Sequence, residues 1–327
     1  MTDDAPPKPA ASPCRAGPPP RERRQPLPSE APKPEEDDPT APERVRRLLA
    51  SPSYRPADED PAFLQRDDVR AARLGMDYLK PEILLTQHAI RDTIVVFGST
   101  RIAEPTAARR RIEELSLALA ANPDDAELQH ALVTAERVAE RSRYYDVARE
   151  LGQLVGAASE GAGDDHIAVV TGGGPGIMEA ANRGAFEVGA KSVGLNITLP
   201  REQFPNPYIT PDLCLRFHYF AMRKLHFLLR AKALVAFPGG YGTLDEVFET
   251  LTLVQTRKIA PLPVVLVGAE FWSRAVDFGF LVDEGVIDPE DKALFWTAET
   301  AEEIWHGIVR WHRENGTPLF GGAGWDG

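Results

Sequence analysis

The chain has 327 residues, 43% of them hydrophobic, which is ordinary for a globular protein and enough for one large domain or two small ones. A formal net charge of −12 excludes a general binder of nucleic acid or of anionic membranes, because such surfaces need excess Lys and Arg; any phosphate site must be local. Two cysteines, Cys14 and Cys214, stand far apart without metal-ligand spacing, and no apolar run reaches signal-peptide or membrane-span length, which predicts a cytoplasmic protein with no membrane partner.

Residues 1–42 are crowded with Pro and charged residues and hold few large apolar groups, so they cannot offset the entropy of ordering and read as a disordered tail. Short helical patterns at 43–49 and 67–79 predict an N-terminal helical appendage over 43–92. A domain over 93–320 follows. Its first strand, 93–101, is apolar enough to lie in a sheet covered on both faces. Helical patterns fill 105–160, broken by Asn122-Pro123-Asp124-Asp125, so a helical hairpin over about 105–143 reads as an insertion. Further strands are predicted at 166–171, 192–199, 231–237 and 263–268, with helices between them. The fold class is therefore α/β, a doubly wound, Rossmann-like parallel sheet with helices on both faces, and its ligands belong at the carboxyl ends of the strands.

Two glycine turns lie at that edge. The one at 172–176 suggests a dinucleotide site, but the next strand, Gly194-Leu195-Asn196-Ile197-Thr198, ends without the acid that would hold a ribose. A tight packing turn or a mononucleotide site remains open there. The other, Pro238-Gly239-Gly240-Tyr241-Gly242, joins a buried strand to a helix, and the free N–H groups and dipole of a helix start favour an anion. Glu246 follows in that helix. Thr243 and Glu246 also match a capping box, so Glu246 reads equally as a cap and as a catalytic carboxylate.

The preceding helix, read over about 217–231, is apolar over most of its circumference and is expected to be largely buried. Arg216, Arg223 and Arg230 recur along it every seven residues; Arg216 and Arg230 read as a wet face, whereas Arg223-Lys224 needs an anionic partner such as a phosphate or Glu246. His218 and His226 lack further ligands at suitable spacing, and no metal is expected.

Pro238-Gly239-Gly240-Tyr241-Gly242-Thr243-Leu244-Asp245-Glu246 resembles the PGGxGTxxE signature of the Lonely Guy family of cytokinin-activating phosphoribohydrolases. Met222-Arg223-Lys224 resembles the Arg-Lys pair of that family, and 172–178 its first glycine turn. The likeness spans about 93–268. The tail, the appendage and the hairpin depart from the short plant-type members and resemble longer bacterial ones. The resemblance implies hydrolysis of the N-glycosidic bond of a nucleoside 5′-monophosphate, AMP or an N6-modified AMP, with no metal or redox cofactor, in a homodimer or larger homo-oligomer. It implies Arg223 and Glu246 as the catalytic pair and Gly239, Gly240, Gly242 and Thr243 as phosphate ligands. Ser99, Gly173, Gly174, Met178, Glu179 and Lys224 are then expected at the nucleotide-binding edge. A carrier of nucleotide or molybdenum cofactor is the rival reading, and a lysine decarboxylase, a label also given to related sequences, lacks a recognisable pyridoxal phosphate site.

Overall fold

The computed structural model describes residues 31–160, 166–200 and 204–319. The tail before residue 31, with Cys14, lies outside them. The chain divides into two units, Met1–Arg70 and Ala71–Gly327. The first carries α1 (Ala41–Leu49) and α2 (Pro61–Leu64). Pro42 falls in the first turn of α1, where its missing N–H has no helical acceptor anyway. The helix thus starts inside the span read as tail. Asp60 caps α2, accepting from the N–H groups of Ala62 (3.0 Å) and Phe63 (3.2 Å).

The second unit begins at Ala71, one residue into α3 (Arg70–Gln87), so the span 43–92 read as one appendage is divided. Polar contacts bind α3 to the sheet unit. The Asp77 carboxylate accepts from the N–H groups of His218 (2.9 Å) and Tyr219 (2.8 Å), and Glu82 pairs with Arg230 through both oxygens.

The chain continues as β1 (Ile90–Phe97), α4 (Pro105–Ala121), α5 (Ala126–Glu140), α6 (Arg143–Glu160), β2 (His166–Thr171), α7 (Ile177–Glu187) and β3 (Ser192–Ile197). After these come β4 (Cys214–Phe217), α8 (Phe220–Leu229), β5 (Ala231–Ala236), α9 (Tyr241–Gln255), β6 (Val264–Val267) and α10 (Ala269–Ala275). Last are α11 (Phe278–Asp283), β7 (Trp296–Ala298) and α12 (Ala301–Glu314). The seven strands form one parallel sheet in the order β4-β3-β2-β1-β5-β6-β7. The order reverses between β1 and β5, which is where a doubly wound sheet opens a ligand crevice.

Alternation along each strand feeds two cores. Ile94 and Val96 point to one side, where α6, α7 and α12 bring Leu151, Ala181 and Ile308. Val95 and Phe97 point to the other, where Phe227 of α8, Val247 of α9 and Trp272 of α10 pack. Phe97 and Phe227 meet edge to face at 4.7 Å.

Two strands escaped the sequence reading because they are short: β4 has four residues and runs into the apolar pattern of α8, and β7 has three. The seven-residue arginine period consequently spans three structures. Arg216 lies exposed on β4, only Arg223 belongs to α8, and Arg230 ends that helix bound to Glu82 instead of facing water. The helix itself is less buried than its composition suggests. His226 and Phe227 are covered, while Phe220, Leu225 and Leu229 are exposed.

Candidate active site

The ends of β1, β2 and β5 are brought level by their register, with Val96 beside Thr171 and Phe97 beside Ala236. Ser99 then joins the loops: its N–H donates to the Pro238 carbonyl (3.0 Å), and its carbonyl accepts from Ile177 N–H (3.2 Å). Gly176 makes this approach possible. It has φ +74°, and a Cβ there would stand 2.4 Å from the Ser99 carbonyl oxygen. The glycine turn after β2 is therefore a packing turn. Beside it a cavity of about 560 Å³ opens at the strand-order reversal, within the size range of small-molecule sites.

Gly239, Gly240, Gly242 and Thr243 line this cavity. Helix α9 starts at Tyr241 after Gly240, and no side chain among the described residues caps it. Thr243 is therefore the third helical residue and Glu246 the sixth, so the expected capping box is not formed, and neither Asp245 nor Glu246 lies in the first turn. The reason is local. The flexible glycine pair lets the chain enter the helix before Thr243, whose buried side chain packs on Gly239; a Cβ on Gly239 would stand 2.1 Å from Thr243 Oγ1. A Cβ on Gly240 or Gly242 would meet nothing within 4 Å. The protein's own packing does not require those two glycines, and Gly242, which lies inside the helix, costs stability of about 1 kcal/mol against Ala. Their bareness leaves the helix start open to an anion.

Glu246 is 7% exposed. It lines the same cavity, and among the described residues none donates a hydrogen bond to its carboxylate. Burial pushes its pKa up to about 7, opposed by Lys224 and Arg223 and assisted by Glu249 and Asp245. Lys224 itself contacts Asp245 and Glu249, each at 2.8 Å.

Arg223 forms another part of the wall. Its Nε donates to the Leu195 carbonyl (2.7 Å), and its guanidinium stacks on Phe227 with 5.1 Å to the ring centroid. Burial depresses its pKa, and the Glu246 charge opposes that. The guanidinium rests in the space that Gly172 leaves, since a Cβ there would stand 2.6 Å from Arg223 Nη2. Gly172→Ala should therefore lower kcat/KM by about a hundredfold through displacement of Arg223, with little change in fold. Steady-state kinetics with a folding check by circular dichroism tests this, and unchanged kinetics would show that the seat is irrelevant.

Ser99 and Met178 also line the cavity, whereas Gly173, Gly174, Glu179 and Lys224 do not. The Gly173 carbonyl accepts from Asn206 N–H (2.9 Å) and the Gly174 carbonyl from Asn206 Nδ2 (3.1 Å), which secures the loop after β3. Glu179 accepts from Tyr145 Oη (2.9 Å) and faces a neighbouring cavity. The wall also includes Arg101, Arg141, Phe220 and Phe271, which sequence reasoning missed. Arg141 follows α5 in the span read only as an insertion; nothing in its neighbours signals a site.

A family model described as "Possible lysine decarboxylase" matches residues 178–308. The cytokinin riboside 5′-monophosphate phosphoribohydrolase LOG1 of Arabidopsis thaliana is 30% identical over 167 residues, which is 49% of this chain and 73% of the relative. LOG3 of the same plant is 29% identical over 170 residues, covering 50% of this chain and 74% of the relative. Among solved structures, a molybdenum cofactor carrier protein from Chlamydomonas reinhardtii is 19% identical, with 68% of this chain and 99% of that one covered, at a TM-score of 0.39. The chain belongs to the Lonely Guy family of phosphoribohydrolases.

Proposed function

We propose that the protein hydrolyses the N-glycosidic bond of a nucleoside 5′-monophosphate, AMP or an N6-modified AMP, to free base and ribose 5-phosphate. The observation that carries this reading is Glu246, a buried carboxylate without a hydrogen-bond donor, on one cavity with an uncapped, glycine-lined helix start. The names of the plant relatives support the same chemistry.

In this reading the 5′-phosphate sits at Gly239, Gly240, Gly242 and Thr243, which fixes the sugar relative to Glu246. As the bond from the anomeric carbon to the base nitrogen breaks, its electron pair leaves with the base and the sugar becomes oxocarbenium-like. The ionised carboxylate stabilises that charge and takes a proton from the attacking water, and the new C–O bond completes ribose 5-phosphate. The base recovers a proton at its nitrogen. Arg223, held by Leu195 and Phe227, orients the substrate against the carboxylate. Arg101 and Arg141 add local positive charge to a cavity in an acidic chain. The reaction is placed in the cytoplasm in this reading, in keeping with two cysteines far apart in the sequence.

The decarboxylase named by the family model fits less well. Lys224, beside the site, is bound by two carboxylates with its pKa raised to about 12, so it is held as an ammonium and not as an amine nucleophile.

Because the ionised Glu246 is the working form, kcat/KM for base release should rise with pH through about 7, where its pKa lies, and then level off. A profile measured with AMP between about pH 5 and 9 checks this. Base release that is flat across the range would remove Glu246 from the mechanism, and nucleotide binding with no release would favour a carrier.

A further inference from the structure

The wall made by Arg141 and Phe271 has space on both sides. These two residues line the catalytic cavity and also a second cavity of about 660 Å³. The second cavity is built where α5 passes into α6, opposite α10, and it carries Arg137, Arg141, Arg143 and Arg274 against Glu140 and Glu270. Four arginines in one cavity stand out in a chain of net charge −12. Arg143 is bound to Glu299 (2.9 Å) and Arg274 lies 3.7 Å from Glu270, as solvated arginines do. No ion-pair partner stands beside Arg137 or Arg141 among the described residues. A guanidinium fork matches carboxylate and phosphoryl oxygens alike, but one fork already engages both oxygens of a carboxylate, whereas two unpaired forks in a concave site suit the three terminal oxygens of a single phosphoryl group.

We propose that the arginine-lined cavity is a second phosphoryl subsite, adjacent to the catalytic cavity and sharing Arg141 and Phe271 with it. What occupies the first cavity rests on the function proposed above. The second phosphoryl group can come from the same nucleotide, if it carries one at another position, or from a separate phosphate-bearing small molecule. The hairpin of α4 and α5 then has a role: its last turn builds the wall between the two sites.

Titration calorimetry tests this with AMP, adenosine 3′,5′-bisphosphate and inorganic pyrophosphate. The proteins are Glu246→Gln, which keeps the nucleotide intact, and the same chain with Arg137→Ala and Arg274→Ala, neither of which lines the catalytic cavity. The two arginine substitutions should leave AMP affinity unchanged and weaken the second phosphoryl contact about tenfold. A bisphosphate that binds more tightly than AMP only when the arginines are present identifies the same nucleotide as the source. Arginine-dependent pyrophosphate binding to protein saturated with AMP identifies a separate molecule. Equal affinity of both proteins for bisphosphate and for pyrophosphate overturns the subsite. If AMP does not bind but arginine-dependent pyrophosphate binding persists, the proposed function fails and the subsite stands.

Discussion

Glu246→Gln is expected to lower base release by about 10² to 10⁴-fold and, at pH 8, to make the protein more stable. The two effects have one origin. Folding buries this carboxylate without a hydrogen-bond donor and raises its pKa from 4.5 to about 7. Between those values the folded state binds more protons than the unfolded one, so stability falls as pH rises through the window and the full cost is present above about 7. That cost is of the order of 3 kcal/mol at pH 8, and a neutral amide escapes it. Chemical denaturation of both proteins at pH 8 and near pH 4 measures the difference, which should be large at the first pH and close to zero at the second. A capping carboxylate would behave oppositely, since its loss destabilises by about 1 kcal/mol. A less stable Glu246→Gln protein at pH 8 would therefore contradict the placement of Gly240 as the N-cap.

Arg223→Ala should lower kcat/KM by about a hundredfold, and Arg223→Lys should recover little of it. Lysine keeps the charge but lacks the planar fork that donates to Leu195 and stacks on Phe227. The substitution also has a signature in pH. Arg223 is one of two cations that hold the Glu246 pKa down, so without it the rise of kcat/KM should move to higher pH, while Arg223→Lys leaves it nearer the original position. A rate loss with no displacement of the profile would mean that Arg223 acts on the substrate alone.

The sequence disclosed the strands read at 93–101, 166–171, 231–237 and 263–268 because buried parallel strands read as unbroken apolar runs, although the first of them is Ile90–Phe97 in the structure. It also disclosed the residues of the signature, whose side chains or bare backbones meet at one strand-order reversal. What it hid was set by tertiary placement. Short strands such as β4 and β7 lack a period long enough to read. The capping box failed because a pattern of residue types does not fix where the helix begins; the glycine pair moved the start to Tyr241. Gly173 and Gly174 look like ligand glycines in one dimension, yet neither lines the cavity, and the Gly173 N–H donates to Thr171 Oγ1 (2.9 Å). Gly172, read in sequence only as the start of a glycine turn, seats Arg223. Arg101 and Arg141 reach the cavity from a loop and a helix end that share no motif with the site.

The most direct measurement is product analysis. The protein incubated with AMP, and in parallel with an isopentenyladenine nucleotide, GMP and CMP, is assayed by chromatography for free base and ribose 5-phosphate. One or both adenine nucleotides should yield the two products in equal amounts, with release lowered by about 10² to 10⁴-fold in Glu246→Gln. Bound but uncleaved nucleotide in every case, or adenosine and inorganic phosphate as products, would contradict the proposed hydrolysis.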